Sequence, residues 1–201
     1  MIPRSAKARE CLEALRGGGF EIGLHAGYRT LGDSGRLAEE KGRLAGILGH
    51  GRFGGRQHYL RFRVPDTWRD WESVGLTYDS TLTFFDHEGF RCGTCHPYRP
   101  FDLERNRELG LWEIPLIVMD GTLRDYRRLS PAAAATHALA LAKRCEAVGG
   151  TFALLWHNSS LEGSWRAWSE VYEGLVAWLA DHAGGLGSSS GFDPGAAGGL
   201  R

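Results

Sequence analysis

No charge of either sign is in excess in this sequence, because 24 Lys and Arg residues balance 24 Asp and Glu residues among 201. A balanced chain has no general electrostatic attraction for nucleic acid or anionic membranes, so we expect neither as a partner. No apolar run approaches the ~18 residues that a transmembrane helix needs, which predicts the absence of a membrane span. The first twenty residues lack the apolar core of a signal peptide, and this predicts a cytoplasmic location.

Cysteine and methionine are also scarce, with four and two residues respectively. Without an export signal, the cysteines are expected to be thiols rather than a disulfide framework. Cys92, Cys95 and His96 form a C-x-x-C-H motif, which is typical of covalent haem attachment and of redox pairs. Pro97 and Pro100 follow, so the motif is predicted to lie in a loop. Thiols that pack a loop or bind a metal are the alternatives.

Short apolar segments alternate with helical patterns, which predicts an α/β fold with parallel strands and helices outside them. Strands are predicted over residues 20–25, 56–62, 76–78, 111–119 and 151–156. Helices are predicted over residues 3–18, 35–48, 65–73, 130–149 and 165–182. Residues 83–110 are interpreted as a functional loop. Residues 184–201 are rich in Gly and Ser and predict a disordered tail, which leaves residues 1–183 as one domain.

Polar side chains recur at the predicted strands. His25, Asp79, Asp120 and His157 lie at strand ends, and His58 lies within its strand. In parallel α/β folds, catalytic groups gather at the C-terminal ends of the strands, so we expect a shared site. Histidines of this kind ligate metals or transfer protons, although a histidine satisfied inside the core and an aspartate that caps a turn are the alternatives.

Several of these segments resemble the polysaccharide deacetylases. Residues 21–25 (EIGLH) are similar to the family's E-I-G-x-H segment, and residues 154–158 (LLWHN) are similar to its late L-x-x-H-type segment. The runs RQHYLRF, TYDSTL, GFRCGTC and EIPLIVMD resemble a bacterial deacetylase-like branch in the same order, some of whose members are associated with surface-polysaccharide loci. The resemblance covers about residues 5–182. It implies a distorted (β/α) barrel that removes N- or O-acetyl groups from a glycan.

The resemblance also implies a chemistry. Family members hold a divalent metal, usually zinc-like, with one Asp and two His; a second Asp is the general base and a late His the general acid. Carried over by position, His25 matches the first metal ligand and His157 the general acid. Asp120 is expected to support His157, and Arg56 to orient the base. His58 is expected to serve as the second metal ligand on the condition that the barrel places it near His25.

The sequence departs from the family pattern in two places. Arg29 stands where the family has its second metal histidine, and the paired-Asp strand expected before Glu21 has no counterpart. These departures imply a barrel that lacks its first strand. A start codon placed too late, a truncated product and a fold without the reaction remain open as explanations. Open sheet edges would then favour a homodimer that covers them.

Aromatic and polar residues near the strand ends are expected to contact an acetylated glycan. They are Tyr28, Tyr59, Asp79, Trp156 and Asn158. The first alternative function is a catalytically degenerate glycan-binding domain, and the second is a redox or haem protein that uses the C-x-x-C-H motif. The sugar platforms of the first alternative would be drawn from Trp112, Trp156, Trp165 and Trp168.

Overall fold

A computed structural model describes residues 6–182, which divide into two compact units. The first unit comprises residues 6–81 and 98–113, and the second comprises residues 82–97 and 114–182. Both combine helices with parallel strands, so the predicted α/β class is confirmed. None of the helices in this described range has the length and apolar character needed to cross a membrane. The predicted tail over 184–201 lies outside the described residues.

The first unit is built on a parallel sheet. Its strands lie in the order β1-β2-β3-β6, and β4 pairs with β5 as a separate antiparallel hairpin. The elements are α1 (Ala6–Gly17), β1 (Leu24–Ala26), α2 (Ser34–Leu48), β2 (Gly55–Gln57), α3 (Asp66–Ser73), β3 (Tyr78–Asp79), β4 (Phe101–Asp102), β5 (Arg107–Glu108) and β6 (Trp112–Glu113).

Local sequence signals account for the long helix of this unit. The Asp33 side chain accepts a hydrogen bond from the backbone N–H of Arg36 and caps the start of α2. Gly49 ends the helix in the left-handed conformation at φ 77°. Leu37 and Leu44 lie seven positions apart on one helical face, and both are buried in the core of the unit.

The second unit pairs β7 with β8 in parallel. Ser130 caps α4 and Pro131 begins it, as the sequence predicts. The core of this unit is formed by apolar residues of β7, α4 and α5. The elements are β7 (Leu116–Met119), a π-helical turn (Thr122–Tyr126), α4 (Pro131–Ala147), β8 (Ala153–Leu155), 3-10 turns (Asn158–Leu161 and Gly163–Trp168) and α5 (Ser169–His182).

Two of the predicted strands are wrong in extent. The strand predicted over 56–62 ends at Gln57, because Tyr59 and Leu60 have positive φ angles that no strand residue adopts. The strand predicted over 111–119 divides at Pro115, which has no N–H to donate to a ladder. Its first part becomes β6 of the first unit, and its second part becomes β7 of the second unit.

Three further boundaries differ from the predictions. The strand predicted from residue 20 begins at Leu24, and the helix predicted from residue 165 begins as a 3-10 turn before α5 starts at Ser169. The predicted loop over 83–110 contains the β4–β5 hairpin, which Arg69 of α3 supports by pairing with buried Asp102 at 2.6 Å. The π-helical turn carried no signal in the sequence that we recognised.

Candidate functional site

In the first unit, two imidazole rings meet where neighbouring parallel strands end. His25 lies in β1, and His58 directly follows β2. His25 Nε2 lies 2.9 Å from His58 Nδ1, and the ring planes are nearly perpendicular at 89°. A hydrogen bond at this distance requires one ring to donate and the other to accept. The condition for His58 to act together with His25 is therefore met, although His58 follows its strand instead of lying within it.

Close backbone packing of β1 against β2 brings the His25 and His58 rings into contact. Strands β1 and β2 pair in parallel with His25 opposite Arg56. A Cβ atom at Gly55 would lie 1.9 Å from the Leu24 carbonyl oxygen, so only glycine fits there. The glycine lets β2 approach β1 closely enough for the two histidines to make contact.

An exposed aromatic surface lies beside the histidines. Tyr59 is 77% exposed and Tyr28 is 55% exposed, and their ring centroids are 5.8 Å apart. The Arg61 guanidinium lies over the Tyr28 ring at 4.1 Å. Tyr59 and Leu60 have φ angles of 57° and 50°, a region that residues other than glycine rarely adopt. Backbone strain of this kind tends to persist at functional sites, and here it presents an apolar ring to solvent.

The Arg56 side chain forms hydrogen bonds to Ser80, which follows the neighbouring strand β3. Its guanidinium donates to the Ser80 carbonyl oxygen through Nε and to Ser80 Oγ through Nη2 at 2.9 Å. Burial lowers the pKa of the Arg56 guanidinium, and the charges of Asp79, Tyr78 and Glu113 oppose this shift. The described contact of Arg56 is therefore a structural one with Ser80, and the orientation of a general base remains a prediction.

Asp79 lies inside the unit, with 0% of its surface exposed. Its carboxyl group accepts hydrogen bonds from the Thr81 hydroxyl at 2.6 Å and from the Thr81 backbone N–H at 2.9 Å. It also forms a hydrogen bond with buried Glu113. Trp68 Nε1 donates to Glu113 at 2.7 Å. Burial raises the pKa of Asp79 to about 6, although the bonds from Thr81 and Glu113 and the charge of Arg56 oppose the shift. The sequence predicts a substrate contact for Asp79, whereas its complete burial argues for an internal role.

In the second unit, Asp120 and His157 form a hydrogen-bonded pair. Asp120 directly follows β7 and is 0% exposed. Its carboxylate accepts three hydrogen bonds: from the His157 backbone N–H at 2.9 Å, from His157 Nδ1 at 2.7 Å and from the Gly121 backbone N–H at 2.7 Å. The side chain of Ser160 bonds to the same carboxylate. The support of His157 by Asp120 that the sequence predicts is present as a contact, and its catalytic role remains a prediction.

These bonds lower the pKa of Asp120 and place a hydrogen on His157 Nδ1. Burial alone would raise the pKa of Asp120, but the hydrogen bonds from His157 and Ser160 outweigh it and hold the pKa below its ordinary value. The ionised carboxylate only accepts hydrogen bonds, so His157 Nδ1 carries its hydrogen. Nε2 is the other ring nitrogen, on a side chain that is 49% exposed.

Two predicted substrate residues flank His157. Asn158 is exposed at the start of the following 3-10 turn. Trp156 is half-buried and packs against Trp168 and Tyr172, with ring centroids 6.4 Å and 5.6 Å apart. Asn158 is therefore open to a ligand, while Trp156 is part of the packing of its unit.

The other tryptophans proposed as sugar platforms also contact side chains of the protein or are buried. The Arg99 guanidinium lies 5.0 Å from the ring centroid of Trp112, and the Arg124 guanidinium lies 3.8 Å from that of Trp165. Trp168 is 4% exposed. These contacts occupy ring faces that a sugar would need, so the tyrosines of the first unit offer the more open aromatic surface.

The C-x-x-C-H motif belongs to the second unit. Cys92 is half-buried, whereas Cys95 is 4% exposed and its thiol contacts that of Cys145. Burial raises the pKa of the Cys145 thiol to about 12. A Cβ atom at Gly150 would lie 2.2 Å from Cys95 Sγ, so the motif packs tightly against its surroundings. This geometry agrees best with thiols that pack a loop.

The histidine pair of the first unit fits a divalent cation in part. Imidazole nitrogens are common zinc ligands, and two of them converge here from separate elements. A catalytic zinc site has three protein ligands, and no group of three His, Cys, Asp or Glu side chains with metal-binding geometry occurs among residues 6–182. The described residues would therefore provide two of the three ligands that such a site needs, which predicts weak metal binding.

The sequence did not identify two residues of these hydrogen-bonded clusters, Glu113 and Thr81. Glu113 lies inside an apolar segment, and a single charged residue between Trp112 and Pro115 was its available signal. Thr81 belongs to the TYDSTL run, but the partners of a hydroxyl cannot be identified from one sequence.

Comparison with protein-family models, with curated proteins and with solved structures finds no match to this chain.

Proposed function

We propose that this protein is a metal-dependent hydrolase of the polysaccharide deacetylase type, which removes acetyl groups from a glycan. The proposal includes the distorted barrel, zinc as the divalent metal and a homodimer, all of which rest on the resemblance of the motifs. The observation that carries it is the contact between buried Asp120 and half-exposed His157. A histidine oriented by a carboxylate is a recurrent arrangement for proton transfer.

In this proposal, His157 is the general acid. Asp120 holds the hydrogen on Nδ1 and stabilises the imidazolium form when Nε2 takes up a proton. His157 then returns the proton to the leaving nitrogen as the acyl bond breaks. The backbone bond from His157 to Asp120 keeps the ring in place because it ties the base of the side chain to the same carboxylate.

The metal role is assigned to His25 and His58. Both would ligate through neutral nitrogens, His25 through Nε2 and His58 through Nδ1. A divalent cation at this pair would polarise an acetyl carbonyl and lower the pKa of its bound water. Tyr28 and Tyr59 present ring faces beside the pair, and such faces suit the apolar side of a sugar ring.

Acetate release from acetylated chitooligosaccharides and acetylated xylan, with and without added Zn²⁺ or Co²⁺, tests the proposal. We expect release that depends on the metal and that His157→Gln abolishes. Asp125→Asn is the matched control, since Asp125 is an exposed carboxylate of the π-helical turn close after Asp120. Absence of acetate with every substrate and metal would overturn the hydrolase proposal.

A second candidate is a glycan-binding protein of the same fold without turnover. The incomplete ligand set at His25 and His58 favours it, together with the strained and exposed ring of Tyr59. Calorimetric titration with the same oligosaccharides distinguishes the two. Binding that persists in chelator, is lost in Tyr59→Ala and is accompanied by no acetate release would favour this second function.

A further inference from the structure

A chain of buried polar groups crosses the sheet of the first unit. Its members share almost complete burial, because none is more than 2% exposed. Buried polar groups cost free energy unless each finds a partner, so a connected set of them specifies one arrangement. The chain consists of Glu113, Asp79, Thr81, Gln57 and Thr30.

The links of this chain have defined directions. The Thr81 hydroxyl has one hydrogen and donates it to Asp79 at 2.6 Å. Thr81 Oγ1 is therefore the acceptor for the Gln57 backbone N–H at 2.9 Å. The Thr30 hydroxyl lies 2.9 Å from Gln57 Oε1 and 2.8 Å from the Gly27 carbonyl oxygen, and shares its hydrogen between these acceptors.

The chain begins at carboxyl groups and ends at the turns that carry the candidate site. Gln57 is the last residue of β2 and immediately precedes His58. Thr30 ends the 3-10 turn that begins at Tyr28 and follows β1. A shift in the position of Thr81 would move the Gln57 backbone, and with it the base of the His58 side chain.

The far end of the chain is anchored from other elements. Trp68 of α3 donates to Glu113 at 2.7 Å, and Glu113 bonds to Asp79 across the pairing of β3 with β6. Arg56 of β2 and Tyr78 of β3 are the charged and titratable neighbours that act on this end. Asp79 is thus held by its bonds to both Glu113 and Thr81.

We propose that Asp79 and Thr81 are positioning residues, which fix the Gln57 backbone so that His58 Nδ1 faces His25 Nε2. Neither side chain touches solvent, so their effect on a ligand passes through the histidine pair. The use of this positioning in catalysis or metal binding rests on the proposed function. The positioning itself is a property of the protein without metal or substrate, and it can be measured separately.

The test replaces the hydroxyl of Thr81. Thr81→Val keeps the shape but removes the donor to Asp79 and the acceptor for Gln57, whereas Thr81→Ser restores both. Thr77→Val is the matched control, since the buried Thr77 hydroxyl has no hydrogen-bond partner among residues 6–182. The measurement is the ring tautomer of His25 and His58 from imidazole ¹⁵N shifts, on metal-free protein at about pH 8, where an ordinary imidazole is neutral.

We expect one dominant tautomer for each ring in the wild type and in Thr77→Val. Thr81→Val is expected to give mixed tautomers for both rings, and Thr81→Ser to return them to the wild-type state. The same spectra with added Zn²⁺ should show at least tenfold weaker binding in Thr81→Val than in Thr81→Ser. Unchanged tautomers in folded Thr81→Val would overturn the proposal. If that variant does not fold, mixed tautomers in wild type or in Thr81→Ser would overturn it instead.

Discussion

Asp79 at the end of β3 and Asp120 directly after β7 are both buried, yet their surroundings shift their pKa values in opposite directions. Asp79 of the first unit is fully buried against Glu113, and its pKa is raised to about 6. Asp120 of the second unit is equally buried, but its bonds to His157 and Ser160 lower its pKa. Both carboxyl groups have hydrogen-bond partners that lower their pKa, but burial outweighs these bonds at Asp79, whereas the bonds outweigh burial at Asp120. The balance between burial and hydrogen bonds therefore decides whether the buried carboxyl group is neutral or ionised at about pH 5.

The same contrast applies to the histidines near them. His157 is tied to a carboxylate through its ring and its backbone, an arrangement that favours proton transfer. His25 contacts the imidazole of His58, and two imidazole rings that converge in this way favour a shared cation. The two histidines that the sequence places at equivalent strand ends are thus proposed to have different chemical roles.

The largest effect is expected from breaking the Asp120–His157 contact. Asp120→Asn keeps the shape but presents an amide that no longer favours a hydrogen on His157 Nδ1 or stabilises the imidazolium. We expect acetate release to fall by about 10²–10⁴-fold, the usual contribution of general acid–base catalysis. Steady-state assays of Asp120→Asn beside Asp125→Asn measure it. Equal activity in the two variants would contradict the role of the pair.

The pH dependence of stability separates the two aspartates. The pKa of Asp79 is raised, so its stabilising contribution is complete below about pH 4 and is lost as pH rises through about 6. The pKa of Asp120 is lowered, so its contribution is present above about pH 4 and is lost as pH falls through its folded value.

Urea unfolding at several pH values measures how the free energy of unfolding changes with pH at each aspartate. Asp79→Asn is expected to remove a fall in the free energy of unfolding of up to about 3 kcal/mol between pH 4 and 6, at 1.36 kcal/mol for each pKa unit. Asp120→Asn is expected to remove the loss below about pH 4 instead. Parallel curves of the free energy of unfolding against pH for the two variants would show that the two carboxyl groups do not titrate differently in the folded protein.

Much of this contrast follows from the sequence, and the rest depends on contacts across the chain. Strand ends predicted the positions of His25, Asp120 and His157, because parallel strands carry polar residues at their C-terminal ends. The burial of Asp79 beside Glu113 was not predicted, since it depends on the pairing of β3 with β6.

The turn after β2 was missed for a related reason. Tyr59 and Leu60 have side chains typical of strands, yet their positive φ angles end the strand at Gln57. Local propensity favours an extended chain there, whereas residues His58–Leu60 form a 3-10 turn in which the Arg61 backbone N–H donates to the His58 carbonyl oxygen. Preferences of single residues contain no information on such contacts.

A smaller effect on stability is expected from removing the Trp68 hydrogen bond that holds Glu113 beside Asp79. Trp68→Phe removes the indole N–H that bonds to Glu113, which leaves a buried carboxyl oxygen without that donor. Trp71→Phe is the matched control, because the buried Trp71 Nε1 has no hydrogen-bond partner in the described range. We expect Trp68→Phe to lower the free energy of unfolding by about 1–2 kcal/mol more than Trp71→Phe does. Equal losses in urea unfolding would mean that this bond adds no stability to the pair.

The smallest effect concerns the strain beside the histidines of the first unit. Tyr59→Gly replaces a residue at φ 57° by one that adopts this angle freely, whereas Tyr28→Gly introduces glycine at a position without a positive φ. We expect Tyr28→Gly to reduce the free energy of unfolding by about 1 kcal/mol more than Tyr59→Gly. Tyr59→Gly should still weaken oligosaccharide binding, because it removes the more exposed of the two rings. A site that loses binding without losing stability would show that the strained turn serves a ligand rather than the fold.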